Sequence, residues 1–395
     1  IGFDGREQHY QYNLAGQLTQ VAENSERLIQ LKRNSLGQVT EQRSTANGIT
    51  LINDFAYDLQ GKLSQANNAA RKLRFSYFAN GQLQENWQDN WQSIYQLSSQ
   101  GLRSHTQLPD GNALTYRYDE QGRLSAIWFN QQPVISRNFN AAGEEVSREL
   151  SKRHQLHNHY DAQGRLLSQQ WQLEQPEQAP SRIERHYRFD AGDQLLGVSD
   201  SELGDNNYSY DALSQLTKAT SHNANNQQFE LDSFANPKQA DMLGDKLLGD
   251  ELCSYRYDRY GNQVLASQSK VRQQRVFNGL NQLVRLSQGR DNTVYHYDAL
   301  GRRSCKITAQ GQTDYLWEGN QLIGEHSQGQ FTWYVYEPNS HRPIAMIKQG
   351  QVYHYHLDHI GTPVRLSDEQ GNIVWQAHYQ AYGSIEQLSV KQIEN

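Results

Sequence analysis

Between recurring polar breaks the chain alternates apolar and polar residues with period two. Ser125-Ala126-Ile127-Trp128-Phe129 leads through Asn130-Gln131-Gln132 into Pro133-Val134-Ile135-Ser136-Arg137-Asn138-Phe139. Alternation over such short runs, broken by amide-rich turns, predicts strand, turn, strand and corner rather than helix. The breaks repeat as aromatic-Asp-x-x-Gly-x-Leu. Clear copies are YNLAGQL from Tyr12, YDLQGKL from Tyr57, YFANGQL from Tyr77, YDEQGRL from Tyr118, YDAQGRL from Tyr160, FDAGDQL from Phe189, YDALSQL from Tyr210, FNGLNQL from Phe277 and YDALGRR from Tyr297. Weaker copies begin at Arg33, Leu97, Phe139, Leu231 and Tyr257. The fourteen starts mostly stand 20 or 21 residues apart, with longer steps of 24, 29 and 26 after Arg33, Tyr160 and Leu231.

Twelve of the fourteen copies carry Asp or Asn second and ten carry Gly fifth. An Asx side chain accepts hydrogen bonds from the backbone two residues on, and Gly takes positive φ without a Cβ clash. The pairs Asp58/Gly61, Asp119/Gly122, Asp161/Gly164, Asp258/Gly261 and Asp298/Gly301 are therefore expected to be structural turns at hairpin corners. Asp193 and Asn281 replace Gly with residues that tolerate the left-handed region, whereas Ser214 and Ala235 are less comfortable substitutes. One repeat of about 21 residues equals one hairpin, so residues 1–303 read as an array of about fourteen hairpins, or roughly twenty-eight strands. The extra residues before Phe189 fall at Glu174-Gln175-Pro176-Glu177-Gln178-Ala179-Pro180, a loop composition. Accumulated twist is expected to coil such a meander into a wall, and a piece of wall should leave open strand edges and self-associate.

Composition changes the picture of the core. Hydrophobic residues are 36% of the 395; leaving out the 23 Tyr and adding the 29 Gly gives roughly 37% apolar, against about 45–50% in ordinary domains. With 11 Phe and 7 Trp besides, the chain is too aromatic for disorder, and an ordered sheet wetted on both faces is expected, without deep burial. A net charge of −6 argues against a nucleic-acid partner. Cys253 and Cys305 lie far apart without metal-ligand spacing and read as buried free thiols. No apolar run reaches spanning length, so no membrane span is expected, and Ile1 opens without a leader pattern.

The tail adds YRYDRYGN from Tyr255, YHYDALGRR from Tyr295, YLWEGNQLIGE from Tyr315, YVYEPNSHRPIA from Tyr334, YHYHLDHIGTPVRLSD from Tyr353 and IVWQAHYQAYG from Ile373. In this order they resemble the signatures of an Rhs core, with its YD repeats. Related proteins include C components of insecticidal toxin complexes and the teneurins. The resemblance covers essentially the whole chain. It implies an all-β fold of repeated hairpins coiled into a hollow shell or cocoon wall, with Asp358, His359, Gly361, Thr362 and Pro363 as family signature residues. It further implies that residues 304–395 are the C-terminal part of the core, continuous with the array. A C-terminal toxin domain of the same polypeptide would be the cargo, with a secretion apparatus, often type VI, and an immunity protein as indirect partners. Such a protein is made in the bacterial cytoplasm and secreted or displayed at the cell surface. The family's DPxGL cleavage motif and its toxin are expected beyond Asn395, so no catalytic residue, metal or cofactor is assigned.

Other constellations favour plain readings. His354, His356 and Asp358 would share one face of a strand and could meet a metal, but a half-exposed strand ending in a turn braced by Asp358 and His359 is preferred. One carboxylate per turn supplies too few oxygens for calcium. Asp368 and Glu369 are adjacent and would point to opposite faces of a strand, which disfavours an acid/base pair. Trp87, Trp91 and Tyr95 could make a sugar platform, although wall packing is the simpler reading. Two functions follow: a toxin-enclosing shell segment, and a cell-surface module that binds carbohydrate or protein. An enzyme has the least support.

Overall fold

A computed structural model describes residues 6–393, except 25, 47, 152–153, 174–180, 223–225, 234, 237, 239–240, 244–245, 250–252, 269–270 and 339. The insertion at Glu174–Pro180 thus lies outside the described residues. Among the described residues there are thirty-seven strands and no helix, hence no helix long and apolar enough to cross a membrane. Twenty-eight strands end at or before Tyr297, and nine more follow from Arg303. They form antiparallel sheets of 21 and 16 strands in which each strand pairs with its neighbours in sequence. Each hairpin closes locally, which is what a 21-residue unit with two turns dictates.

The chain forms two compact units, each discontinuous in sequence. The first unit contains residues 1–95 and 239–331, and the second contains residues 96–238 and 332–395. In the first, Ala66 and Leu73 bury against Ala299, with Phe55, Leu63 and Phe75 around them. In the second, Leu156, Trp171 and Ile183 bury together beside Ile373, and a larger cluster joins Met346, Tyr353, Tyr355, Leu366, Val374 and Trp375.

The expectation of two wetted faces therefore fails. Trp171, Ile127, Ile135, Ile344, Met346 and Ile347 are fully buried. Two sheet segments stack within each unit and exclude water from the faces between them, a gain of about 1.5–3 kcal/mol per large side chain. The inner faces also carry amides that complete this packing. In the first unit Asn86 Nδ2 and Gln88 Nε2 both donate to the Trp317 carbonyl, at 2.7 and 3.0 Å, and the Trp317 amide donates to Gln88 Oε1 at 3.0 Å. A buried glutamine here replaces a missing strand neighbour, so an amide-rich sequence can fill a dry face. Neither cysteine is in a disulfide, and only Cys305 is buried; Cys253 is half-buried. Burial pushes the Cys305 thiol up to about 11.

Candidate functional site

The corner is the repeating structural element. At Asp58 the backbone amide donates to the Lys62 carbonyl (2.8 Å), and the Gly61 amide donates to the Asp58 carbonyl (3.0 Å). One carboxylate oxygen, Asp58 Oδ1, accepts from the amides of Gln60 (2.9 Å) and Lys62 (2.8 Å). The same set holds Asp119, Asp161, Asp258 and Asp298. Gly61, Gly122, Gly164, Gly261 and Gly301 lie at φ between 78° and 83°. At the four copies without Gly, Asp193, Ser214, Ala235 and Asn281 also stand at positive φ, between 58° and 66°. The geometry thus persists where the residue is costly.

Two further contacts tie each corner to its neighbours. The tyrosine that opens a repeat donates its hydroxyl to the first strand residue after the preceding corner. Tyr57 reaches the carbonyl of Val39 (2.9 Å), Tyr77 that of Leu63 (2.8 Å), Tyr160 that of Glu145 (3.1 Å), Tyr210 that of Leu195 (2.9 Å) and Tyr297 that of Leu283 (2.8 Å). Trp317 serves in the same way, its Nε1 donating to the Arg303 carbonyl at 2.8 Å. Residue six then reaches forward. Arg165 Nη1 donates to the Asp190 carbonyl (3.0 Å), Arg302 Nη1 to that of Gly319 (2.7 Å) and Gln38 Nε2 to that of Gly61 (2.9 Å). Where Phe opens the next repeat, the arginine also covers its ring, as with Arg123 over Phe139 at 4.6 Å and Arg165 over Phe189 at 5.5 Å.

The charges belong to this scaffold. Partial burial pushes the Asp119 and Asp161 carboxyls up, but the amide and guanidinium of Arg123 and Arg165 outweigh it and hold both below the usual carboxylate range. Each carboxylate is engaged by these donors rather than turned toward an ion.

The signature segment of the tail is another corner. Asp358 Oδ1 accepts from the amides of Ile360 (3.1 Å) and Thr362 (2.8 Å), Gly361 stands at φ 95°, and Tyr379 donates to the Pro363 carbonyl at 2.8 Å. Leu357 takes the place of the tyrosine, and Pro363 opens a strand. The His359 carbonyl accepts from Arg342 Nη2 at 2.9 Å, and its ring packs 5.1 Å from Tyr187. Asp368 builds a further corner, accepting from Gln370 and Asn372 at 3.0 and 2.8 Å. Glu369 instead accepts from the Val352 amide at 3.1 Å. The turn expected at Asp358 is thus a corner of the same kind, and Asp368, preceded by Ser367, is a further copy beyond the fourteen that the spacing Asp-x-x-Gly marks.

The histidine strand differs from its expected half-exposed state. Asp358 lies beyond strand Gln351–Leu357, where Val352 to His356 are all buried. Its His354 and His356 meet His154 instead, a residue that lies two hundred positions away in sequence and carries no motif. Ser367 Oγ stands 2.9 Å from His356 Nε2 and 3.1 Å from His154 Nδ1. Beside them the buried Arg365 forks onto Asp200 at 2.6 and 3.1 Å. A second buried network joins Arg137, Glu145, Arg148 and Glu337, with Arg148 Nε 2.6 Å from Glu145 Oε1 and Arg137 Nη2 2.7 Å from Glu337 Oε1. Burial raises Glu145, but Arg148 and Arg137 more than offset it and bring it to about 2. Among the described residues no group of three His, Cys, Asp or Glu is arranged to hold a metal ion.

The aromatic platform does not form either. Trp87 pairs with Gln92 and Trp91 with Gln88, so the two indoles lie on opposite faces of their hairpin. Arg74 covers Trp87 at 4.8 Å, Trp91 packs on His326 and Phe331, and Tyr95 is buried.

Comparison with known proteins agrees with this geometry. The chain is 23% identical to Double-stranded DNA deaminase toxin A of Burkholderia cenocepacia (strain H111), over 97% of this chain and 31% of that protein. It is 24% identical to Toxin protein Tse5 of Pseudomonas aeruginosa, over 66% of this chain and 21% of that protein. The crystal structure of TcdB2-TccC3 without its hypervariable C-terminal region shares the fold, with a TM-score of 0.73 at 15% identity over 99% of this chain and 24% of that one. The chain thus spans less than a third of each of these relatives. Residues 129–393 match the Teneurin YD-shell family, to which the chain therefore belongs.

Proposed function

We propose that this chain is wall from the shell of an Rhs-type toxin, enclosing a toxin domain carried C-terminally on the same polypeptide until delivery. The observation that carries this reading is the linked corner, which recurs from Tyr57 to Tyr379 with its tyrosine bond. Polar groups that could serve chemistry are consumed in holding strands together, which suits a barrier. The toxin names of two relatives, and a hypervariable C-terminal region in a third, support a variable cargo after the shell. Residues 1–303 and 304–395 act in this reading as one continuous wall. The protein is made in the bacterial cytoplasm and reaches the cell surface or the medium through a secretion apparatus, type VI in competition between bacteria, while an immunity protein guards the producer. The wall catalyses nothing and takes no cofactor.

The test is limited proteolysis of the full-length polypeptide together with the coding sequence after Asn395. A DPxGL motif, a following variable domain, and survival of that domain under protease while Tyr77→Phe/Tyr297→Phe/Tyr379→Phe exposes it would support the reading. A cargo cut as fast in the intact protein as alone would overturn it.

A second reading, a cell-surface module binding carbohydrate or protein, is favoured by one feature. The first unit holds a cavity of 570 Å³ lined by Asp54, Asn67, Asn68, Gln282, Tyr295 and His296. Amides and a tyrosine beside aliphatic Ile52 and Val284 suit a sugar face and its hydroxyls. Binding on a glycan array that is lost with Asp54→Ala and Tyr295→Ala would favour it.

A further inference from the structure

Three of the four buried imidazoles of the second unit serve no corner and no staple; the fourth, His378, stands 3.6 Å from Glu386. His154, His354 and His356 are each at most 1% exposed, with ring centroids 6.2 Å apart for His154 and His354 and 5.0 Å for His154 and His356. His154 comes from strand His154–Tyr160 of one sheet, and the other two come from strand Gln351–Leu357 of the other. The three rings therefore close the seam between the sheets within this unit. His154 Nε2, His354 Nδ1 and His356 Nδ1 are buried without a hydrogen-bond partner.

What surrounds them offers a proton no welcome. Strand Leu166–Leu173 contributes the Trp171 indole, 5.4 Å from the His356 ring. Strand Pro363–Ser367 contributes the Ser367 hydroxyl and Arg365, and strand Glu145–Ser151 contributes Arg148. The nearby carboxylates are already committed: Asp200 to Arg365 and Arg185, Glu202 to Arg365, and Glu145 and Glu337 to Arg137 and Arg148. Each of these cations is in an ion pair with those anions, so no carboxylate is left to receive an imidazolium.

We propose that this histidine seam is an acid-triggered release point, which stays shut near neutrality and opens the second unit as the medium acidifies. The proposal holds whether or not a cargo is enclosed, because it concerns the seam alone. Burial brings His154 down to about 4, and burial with His154 and Arg148 brings His354 to about 3. His356 lies well below the ordinary 6.5, by burial first and then by His154, Arg365, His354 and Arg148. With folded values depressed, the seam is fully stable above pH 6.5. As the pH falls from there the open chain takes up protons that the closed seam refuses. Each imidazole then shifts the closed-to-open ratio by about tenfold per pH unit until its folded value is reached. The first unit has no such cluster among its described residues: His9 and His296 are exposed, and the half-buried His326 packs on Trp91 and Phe331 with no second histidine.

Hydrogen exchange with mass spectrometry, run on the full chain at pH 7.5, 6.5 and 5.5 and corrected for intrinsic rates, tests this. Strands 154–160, 351–357 and 363–367 should open about a thousandfold more often at pH 5.5 than at 7.5, about tenfold from each of the three imidazoles, while strand 49–57 of the first unit holds its protection. His354→Phe and His154→Gln should each remove about tenfold of that response. An unchanged response in variants protected at pH 7.5 would overturn the proposal. Should a variant not fold, exchange at the imidazole C2–H of the wild-type chain decides. Midpoints near 6.5 for these three histidines would overturn the seam, and midpoints well below it would support it.

Discussion

Tyr77 donates its hydroxyl to the carbonyl of Leu63, 2.8 Å away, and so binds the start of one corner to the strand that leaves the corner before it. The tyrosine of the YD motif is therefore a staple between successive repeats, and its ring is only partly buried. Tyr77→Phe keeps the ring and removes the bond, leaving the Leu63 carbonyl short of one donor. A loss of about 1 kcal/mol is expected, read from the urea midpoint of the purified chain. Tyr297→Phe should lose a similar amount through the Leu283 carbonyl. No change in either variant would mean that water replaces the staple without cost.

Corner backbone strain should be visible in both directions. Gly122 stands at φ 78° with only the Leu102 Cδ1 atom near its missing side chain, at 3.8 Å. Gly122→Val should therefore destabilise by about 1–2 kcal/mol through φ alone. Ala235 and Ser214 both sit at φ 64°, and Ala235→Gly or Ser214→Gly should raise stability by up to about 1 kcal/mol. Thermal melts of the three variants check the pair of signs together.

The network around Glu145 gives a second, more acidic transition. Its carboxyl is brought from 4.5 to about 2 by Arg148 and Arg137, against burial. A depressed carboxyl contributes stability above its unfolded value and loses it as pH falls toward the folded one, so this share is present above pH 4.5 and fades toward 2. Its full size is about 3 kcal/mol. Glu145→Gln should cost about 3–5 kcal/mol at pH 7, because two buried guanidinium groups lose their shared partner, and should flatten the stability profile between pH 4.5 and 2. Denaturant titrations at pH 7, 4 and 3 would measure both.

Catalysis is expected to be absent from the chain itself. Ser367 lies between His154 and His356, but it is sealed at 0% exposure with no path for a substrate. Purified chain should show no hydrolytic, nuclease or transferase turnover. Reproducible turnover lost on replacing His354 and Asp358 would contradict this.

The corners were legible because they are local. An Asp that accepts amides two and four residues on, and a Gly at positive φ three residues on, need nothing beyond one loop. Antiparallel pairing of neighbours follows from the spacing of those corners. The turn expected at Asp358 proved to be a corner of the same kind, and the one at Asp368, opened by Ser367, was added only by the structure.

Burial was not legible. Period-two alternation says that a strand has two faces, but which face becomes dry depends on which distant strand lies over it. Leu73 gains its cover from Ala299, and Trp171 from Ile373. The glutamine at 88 looks like surface until Trp317 presents an unpaired backbone amide and carbonyl to it. The histidines show the same division most sharply. Short-range hydrogen bonding, written into every 21 residues, determined the hairpins from sequence alone. That His354 and His356 would lie in the dark against His154, rather than along a wet strand, was decided only when two sheets closed over one another, because burial is a property of what covers a residue and not of its neighbours in the chain.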